Sequence, residues 1–197
     1  MNGYFKHETA LVESQQIGEG TRIWAFAHVL AGAVLGKHCN VGDHCFIEAG
    51  VTIGDNVTIK NHTAIWEGVT LADNVFVGPN VVFTNDLRPR SPRLPLVAER
   101  YRTKAWLSKT VIREGASLGA NAIILGGLEI GEYALIGAGT LVTKNVPPYA
   151  LVLGSPGRVQ GHVCRCGEKL AFRQERAACQ RCGSRYAMQA NGQVSYS

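Results

Sequence analysis

Aliphatic residues recur every six positions along most of this chain, a period that neither a helix nor an ordinary strand produces. The series runs Ile17, Ile23, Val29, Leu35, Val41, Ile47, Ile53, Ile59, Ile65, Leu71, Val77 and Phe83 without a slip. It lapses, resumes at Ile112, Leu118, Ile124, Ile130, Ile136 and Val142, and is extended backwards by Leu11 and Phe5. A helical stripe needs spacings of three and four, and a strand alternates by two over short runs. Repetition at a fixed period instead points to a solenoid, in which each repeat buries its apolar face only by stacking on the next.

The remaining positions of the hexad define its shape. Four residues after each aliphatic stands a small or β-branched side chain: Thr21, Ala27, Ala33, Cys39, Cys45, Val51, Val57, Thr63, Val69, Val75 and Val81. Such residues suit a second inward position close to a corner. Three residues after each aliphatic stands Gly, Asn, His or Asp in sixteen of eighteen cases, the types that most readily enter the left-handed region of backbone space. The hexad is thus a short strand and a corner. Three sides make a triangular coil, and the eighteen hexads make about six coils, a prism about 29 Å tall at the usual inter-strand spacing.

From Asn85 to about Lys109 the phase is lost, and Pro89, Pro92 and Pro95 cannot donate ladder bonds. The segment enters after twelve hexads, so it can extrude at a corner without disturbing the stack. Long irregular loops in compact domains are commonly functional. This one carries seven basic residues (Arg88, Arg90, Arg93, Arg100, Arg102, Lys104, Lys109) against Asp86 and Glu99. It therefore accounts for a charge equal to the formal net +5 of the whole chain. A local basic loop beside a folded body suits a phosphate-bearing small molecule at least as well as a polynucleotide. No apolar run approaches the roughly 20 residues of a membrane span, and the first twenty residues lack the pattern of a signal peptide, so the expected compartment is the cytoplasm.

Two stretches carry a family resemblance. Ile136–Gly161 (IGAGTLVTKNVPPYALVLGSPGRVQG) and Gly115–Gly127 (GASLGANAIILGG) resemble acetyl-CoA-dependent hexapeptide-repeat acyltransferases, whose prism is a left-handed parallel β-helix. Gly157 stands where that family usually has Ala. More narrowly, RIWAFAHV, VFTNDLRPR and the long loop before GASLGAN resemble N-acetyltransferases of nucleotide-linked 3-amino sugars, although Ala25 stands where those relatives often have His. The resemblance covers residues 1–161. It implies an all-β, left-handed β-helix acyltransferase domain working as a homotrimer in surface polysaccharide or glycoside assembly. The substrate would be a UDP- or dTDP-linked amino sugar, probed by Arg88, Arg90, Arg93 and Tyr101 of a loop that covers a neighbouring subunit's site. Asp86 belongs to the same VFTNDLRPR match and is included among the substrate contacts. The coenzyme's pantetheine arm would pair with backbone near Ala120, Gly126 and Ala138, and Lys144 and Arg158 would meet its phosphates.

The chemistry distinguishes amine from hydroxyl acceptors. An amine with a pKa of about 8 is roughly one-tenth neutral at pH 7, so it needs no strong base. A hydroxyl must be deprotonated during attack, commonly by a positioned His. Hydroxyl-acetylating relatives carry a His where the chain leaves the prism; here that place reads Phe83-Thr84-Asn85-Asp86. Asn85 can orient an amine but cannot act as a base. N-acetylation is favoured over O-acetylation of a sugar or serine, with the departing coenzyme thiolate as proton acceptor. His28, on an outward strand position, is the candidate base or substrate contact. His38, His44 and His62 occupy corner positions, where a backbone role suffices; His62 also stacks in a column that would line a site. Glu67 lies one coil below Asn85 and is a candidate support. A γ-type carbonic anhydrase uses a similar prism with three His on zinc, but would leave the coenzyme-like terminus unused. A binding module without catalysis is the third reading.

The last segment, 162–197, reads differently. Cys39 and Cys45 are small interior residues of the prism. The other four form two close pairs, Cys164-x-Cys166 and Cys179-x-x-Cys182, followed by Gly167 and Gly183. They resemble zinc-ribbon knuckles holding structural Zn²⁺ through four thiolates, with no open position for catalysis. A tail this short needs such a staple to hold a core.

Overall fold

The structure, a computed structural model, describes residues 3–190 and 192–197. Residues 18 apart pair in parallel register: Ile23 lies on Val41, Val41 on Ile59 and Ile59 on Val77. Three sheets result, here called A, B and C. Sheet B has seven strands from Leu11–Val12 to Leu141–Val142, and sheet C has six from Gln16–Ile17 to Glu129–Ile130. Sheet A begins at Phe5–Lys6 and runs on into the tail. The prism therefore has close to seven coils rather than six.

The extra coil corrects the phase expected at its start. Leu11 aligns with the outward His28 and Phe5 with the outward Arg22, so both are exposed, and Val12 and Lys6 take the inward register. Ser14 makes the shortened corner possible: it is buried, donates to the Ala33 carbonyl (2.6 Å) and accepts from the Gln16 N–H.

Above this coil the hexad holds. The aliphatic positions from Ile23 to Phe83 and from Ile112 to Val142 are at most 2% exposed, and the small corner residues beneath them are equally buried. The third position after each aliphatic has φ between 55° and 91° throughout, except at Asp86 and Asn145. Phe26 and Tyr133 adopt this conformation too, against a cost of about 1–2 kcal/mol for an L-residue. Ring stacking compensates, since Phe26 lies on His44 (4.9 Å) and Tyr133 on Tyr149 (5.7 Å). Close stacking also demands missing side chains: a Cβ at Gly18 would overlap the backbone of Gly36 in the next coil.

The chain leaves the prism after Val82–Phe83 at the corner between sheets B and C and returns at Thr110–Ile112. The extruded segment is not wholly irregular, since it contains a 3-10 turn, Pro95–Val97, and a short helix, Ala98–Arg102. At the far end Ala150–Leu153 pairs antiparallel with Arg158–Val163, a strand that crosses from the prism into the tail. Three antiparallel strands, Arg176–Ala178, Arg185–Met188 and Val194–Tyr196, complete the tail around a small core of Ala177, Cys164, Cys179, Tyr186 and Val194. Tyr149 of the prism belongs to that core, so the two parts share packing. Among the described residues no helix is long and apolar enough to cross a membrane.

Candidate active site

Where the chain leaves the prism, backbone and side chains close a neck. The Ser108 N–H donates to the Asn85 carbonyl (2.9 Å) and Asp86 bridges Leu107. Asn85 is half-buried, and its Nδ2 donates to the Glu67 carbonyl one coil below (3.1 Å). Among the described residues its Oδ1 has no hydrogen-bond partner. The Glu67 carboxylate accepts both hydrogen bonds of Lys104 Nζ (2.7 and 2.9 Å), tying the end of the loop to the prism.

Asp86 organises the rest of the neck. Its carboxylate accepts from the Tyr101 hydroxyl (2.7 Å), the Arg88 N–H (2.9 Å) and the Arg100 guanidinium. Desolvation pushes its pKa up, but these donors together hold it below the usual carboxylate range. The Tyr101 hydroxyl also accepts from the Arg90 N–H (2.8 Å). Asp86 and Tyr101 thus already hold the loop's shape. Arg88 and Arg90 line a cavity of about 550 Å³ with Arg100, and the Arg90 guanidinium donates to the Pro89 carbonyl at its edge (2.8 Å). Arg93 is exposed farther along the loop.

His28 sits elsewhere. It faces outward on sheet B with Nε2 2.8 Å from Glu13 Oε1, its ring edge-on to Phe46. The register His28–Phe46–Ala64–Val82 puts it three coils below the neck, about 14 Å along the prism. His28 and Asn85 are therefore not brought together within one chain. His62 belongs to the opposite edge of sheet B, the corner between A and B, stacked on His44 (5.0 Å), itself stacked on Phe26.

The coenzyme candidates flank the upper part of sheet B. Ala120 and Ala138 lie on its A-side corner and Gly126 on its C-side corner. Two of these backbones are partly engaged: the Ala120 carbonyl accepts from Gly139, and the Gly126 N–H donates to Thr84 Oγ1 (3.0 Å). Lys144 and Arg158 are brought together on one cavity of about 240 Å³ with Val152 and Gly157.

The four tail cysteines converge, with every sulfur within 4.8 Å of the others. Cys164 and Cys182 are 3.4 Å apart and Cys166 and Cys179 3.6 Å, too far for disulfides. Four thiolates at the Zn–S distance of about 2.3 Å form a tetrahedron with edges of about 3.8 Å, so this donor set fits zinc. Hydrogen bonds to Ser184 lower the Cys182 thiol to about 6, favouring the thiolate that a metal requires.

Comparison with known proteins agrees with this geometry. Residues 16–49, 50–85 and 109–144 match the model of the bacterial transferase hexapeptide (six repeats) family. The chain belongs to the hexapeptide-repeat transferases. It is 51% identical over 191 residues to dTDP-3-amino-3,6-dideoxy-alpha-D-galactopyranose 3-N-acetyltransferase of Aneurinibacillus thermoaerophilus, covering 97% of this chain and 94% of that one. Its fold resembles a variant of AntD, an N-acyltransferase from Bacillus cereus solved with dTDP and coenzyme A (TM-score 0.65, 19% identity, 78% and 87% of the two chains). It also resembles the acetyltransferase domain of PglB from Neisseria gonorrhoeae in complex with acetyl coenzyme A (TM-score 0.52, 17% identity, 80% and 57%). In this hexapeptide-repeat transferase the sequence reading missed Glu13, Arg100, Lys104 and Trp106. Trp106 packs beside Tyr101 (5.8 Å) with its buried indole N–H unpaired. Glu13, Arg100 and Lys104 act through contacts 14 to 37 positions apart, for which the hexad pattern carries no signal.

Proposed function

We propose that the chain transfers the acetyl group of acetyl-CoA to the 3-amino group of a nucleotide-linked amino sugar, with dTDP as the first nucleotide to test. The observation that carries this reading is the 51% identity to a dTDP-3-amino-sugar 3-N-acetyltransferase along almost the whole of both chains. Asn85 supports it chemically. With Nδ2 held by Glu67, its Oδ1 is an acceptor for an amine N–H, and the amide cannot itself act as a base. The neutral amine attacks the thioester carbon, the C–S bond breaks, and the coenzyme thiolate takes the proton that the nitrogen gives up. Arg88 and Arg90 meet the substrate's diphosphate. His28, about 14 Å away along the prism, then contacts the distal part of the substrate rather than moving a proton.

In the same reading the coenzyme uses the Ala120 N–H, the Gly126 carbonyl and backbone at Ala138, and its phosphates lie by Lys144 and Arg158. The working unit is a homotrimer seated on the outward apolar residues of sheet B, where Leu11, Val82 and Ile123 are 54%, 46% and 37% exposed. The tail binds structural zinc. Its compartment is the cytoplasm, where acetyl-CoA is available. Thiol release from acetyl-CoA against UDP- and dTDP-linked 3-amino and 4-amino sugars, with hydroxyl-only sugars as controls, tests the proposal. Turnover confined to 3-amino sugars supports it. Release with hydroxyl acceptors alone would replace it by O-acetylation.

A further inference from the structure

The tail's outer face holds a cavity that the transferase reading does not use. It has a volume of about 580 Å³ and is lined by Arg173, Arg176, Arg185, Ala178, Ala187 and Ser197, among others. The strand register explains how it forms. Arg176 pairs with Ala187 and Ala178 with Arg185, so these four side chains share one face of the antiparallel sheet. The intervening Ala177 and Tyr186 are buried on the other face, against the tail's core. Ser195, opposite Ala187, continues the outer face. Two arginines thus stand on a diagonal, about 7–8 Å apart, over a floor of alanines too small to fill the space between them. Arg173 closes one side.

Among the described residues no Asp or Glu side chain lines this cavity. Three arginines elsewhere have an acidic partner: Arg100, Arg102 and Arg113 pair with Asp86, Glu99 and Glu129. Among the described residues, Arg173, Arg176 and Arg185 have no ion pair. Three like charges around a concavity repel one another unless an anion sits between them, and planar guanidiniums bind phosphoryl oxygens two at a time. The volume falls within the range of small-ligand sites and exceeds the needs of a single phosphate.

We propose that this cavity is a second ligand site, for the diphosphate group of a small molecule, separate from the site at Asn85. The test is arginine labelling of the full-length protein by phenylglyoxal, read peptide by peptide by mass spectrometry, with inorganic pyrophosphate as the probe. Pyrophosphate is expected to slow labelling of Arg173, Arg176 and Arg185 at least fivefold, while the exposed Arg181 on the same tail reacts at an unchanged rate. Sodium chloride at matched ionic strength gives no such protection. In an Arg176→Ala/Arg185→Ala variant, protection of Arg173 requires at least tenfold more pyrophosphate. Among the described residues neither side chain makes a hydrogen bond or ion pair, so this variant keeps its native circular dichroism. If dTDP or coenzyme A protects at lower concentration than pyrophosphate, the diphosphate comes from a nucleotide; otherwise it is the free anion. Equal labelling with and without pyrophosphate, equal protection by chloride, or unchanged protection of Arg173 in the variant would overturn the proposal. The readout is confined to the tail and is independent of acetyl transfer.

Discussion

Replacing Asp86 by Asn should release the loop without unfolding the prism. The carboxylate accepts from Tyr101, Arg88 and Arg100, and the amide keeps one acceptor oxygen and loses the charge facing Arg100. Hydrogen bonds to a charged group contribute about 1.5–3 kcal/mol each. Two are weakened, and because Arg100 and Tyr101 regain water when the loop lifts, the lower end applies, about 2–3 kcal/mol in all. That corresponds to roughly 30- to 140-fold more of the open loop at equilibrium. Global stability should change by less than about 1 kcal/mol, because the loop leaves a complete stack and shares few core contacts. Hydrogen exchange measures this directly at the Ser108 amide, which closes the neck on Asn85. A faster Ser108 amide beside unchanged exchange in the coils is the expected result, with kcat/KM for the amino-sugar substrate falling at least tenfold. Unchanged Ser108 exchange in Asp86→Asn would refute the clamp. The wild-type pH dependence has a definite sign: Asp86 is depressed in the folded state, so its contribution is fully present above the ordinary carboxylate pKa of about 3.9. It is lost only as pH falls through the lower folded value.

Three further outcomes follow from the fold. Cys179→Ser should abolish binding of a single zinc per chain, measured by metal analysis, and expose the tail to protease while the prism keeps its thermal transition. Ile59→Ala, at a fully buried position in the middle of the stack, should cost about 2–5 kcal/mol by denaturant titration; a cost below 1 kcal/mol would contradict the packing described. At His62, where φ is 61°, Gly should be more stable than Ala by about 1 kcal/mol, and similar kcat/KM for both and for wild type would assign this histidine to the corner alone.

Much of the fold is legible in the hexad because each position obeys a local rule: apolar inside, small beside the corner, left-handed at the corner. Rules of that kind survive a blank loop, as Val77 stacking on Leu118 across the extruded segment shows. They failed at Phe5 and Leu11, where a single shortened corner turned the side chains outward. Periodicity cannot reveal such a slip at Leu11–Val12, where both residues are apolar. The cysteine cluster was legible for a similar reason, since close pairs followed by glycine are a local pattern whose convergence the structure bears out.

The chemistry of the neck was only half contained in the sequence. That no His stands at the exit from the prism, and that Asn85 does, is a matter of reading residues in order. That Asn85 is held by Glu67, that Lys104 and Arg100 lock the loop, and that Asp86 and Tyr101 are committed to each other depend on contacts between segments far apart in the chain. The same holds for His28. Its outward position follows from the period, but its separation from Asn85 is a count of stacked coils, known only once the strand register is known. A repeat fixes what each residue faces, because that is decided within six residues; which residues meet is decided by stacking and by where the irregular segments return.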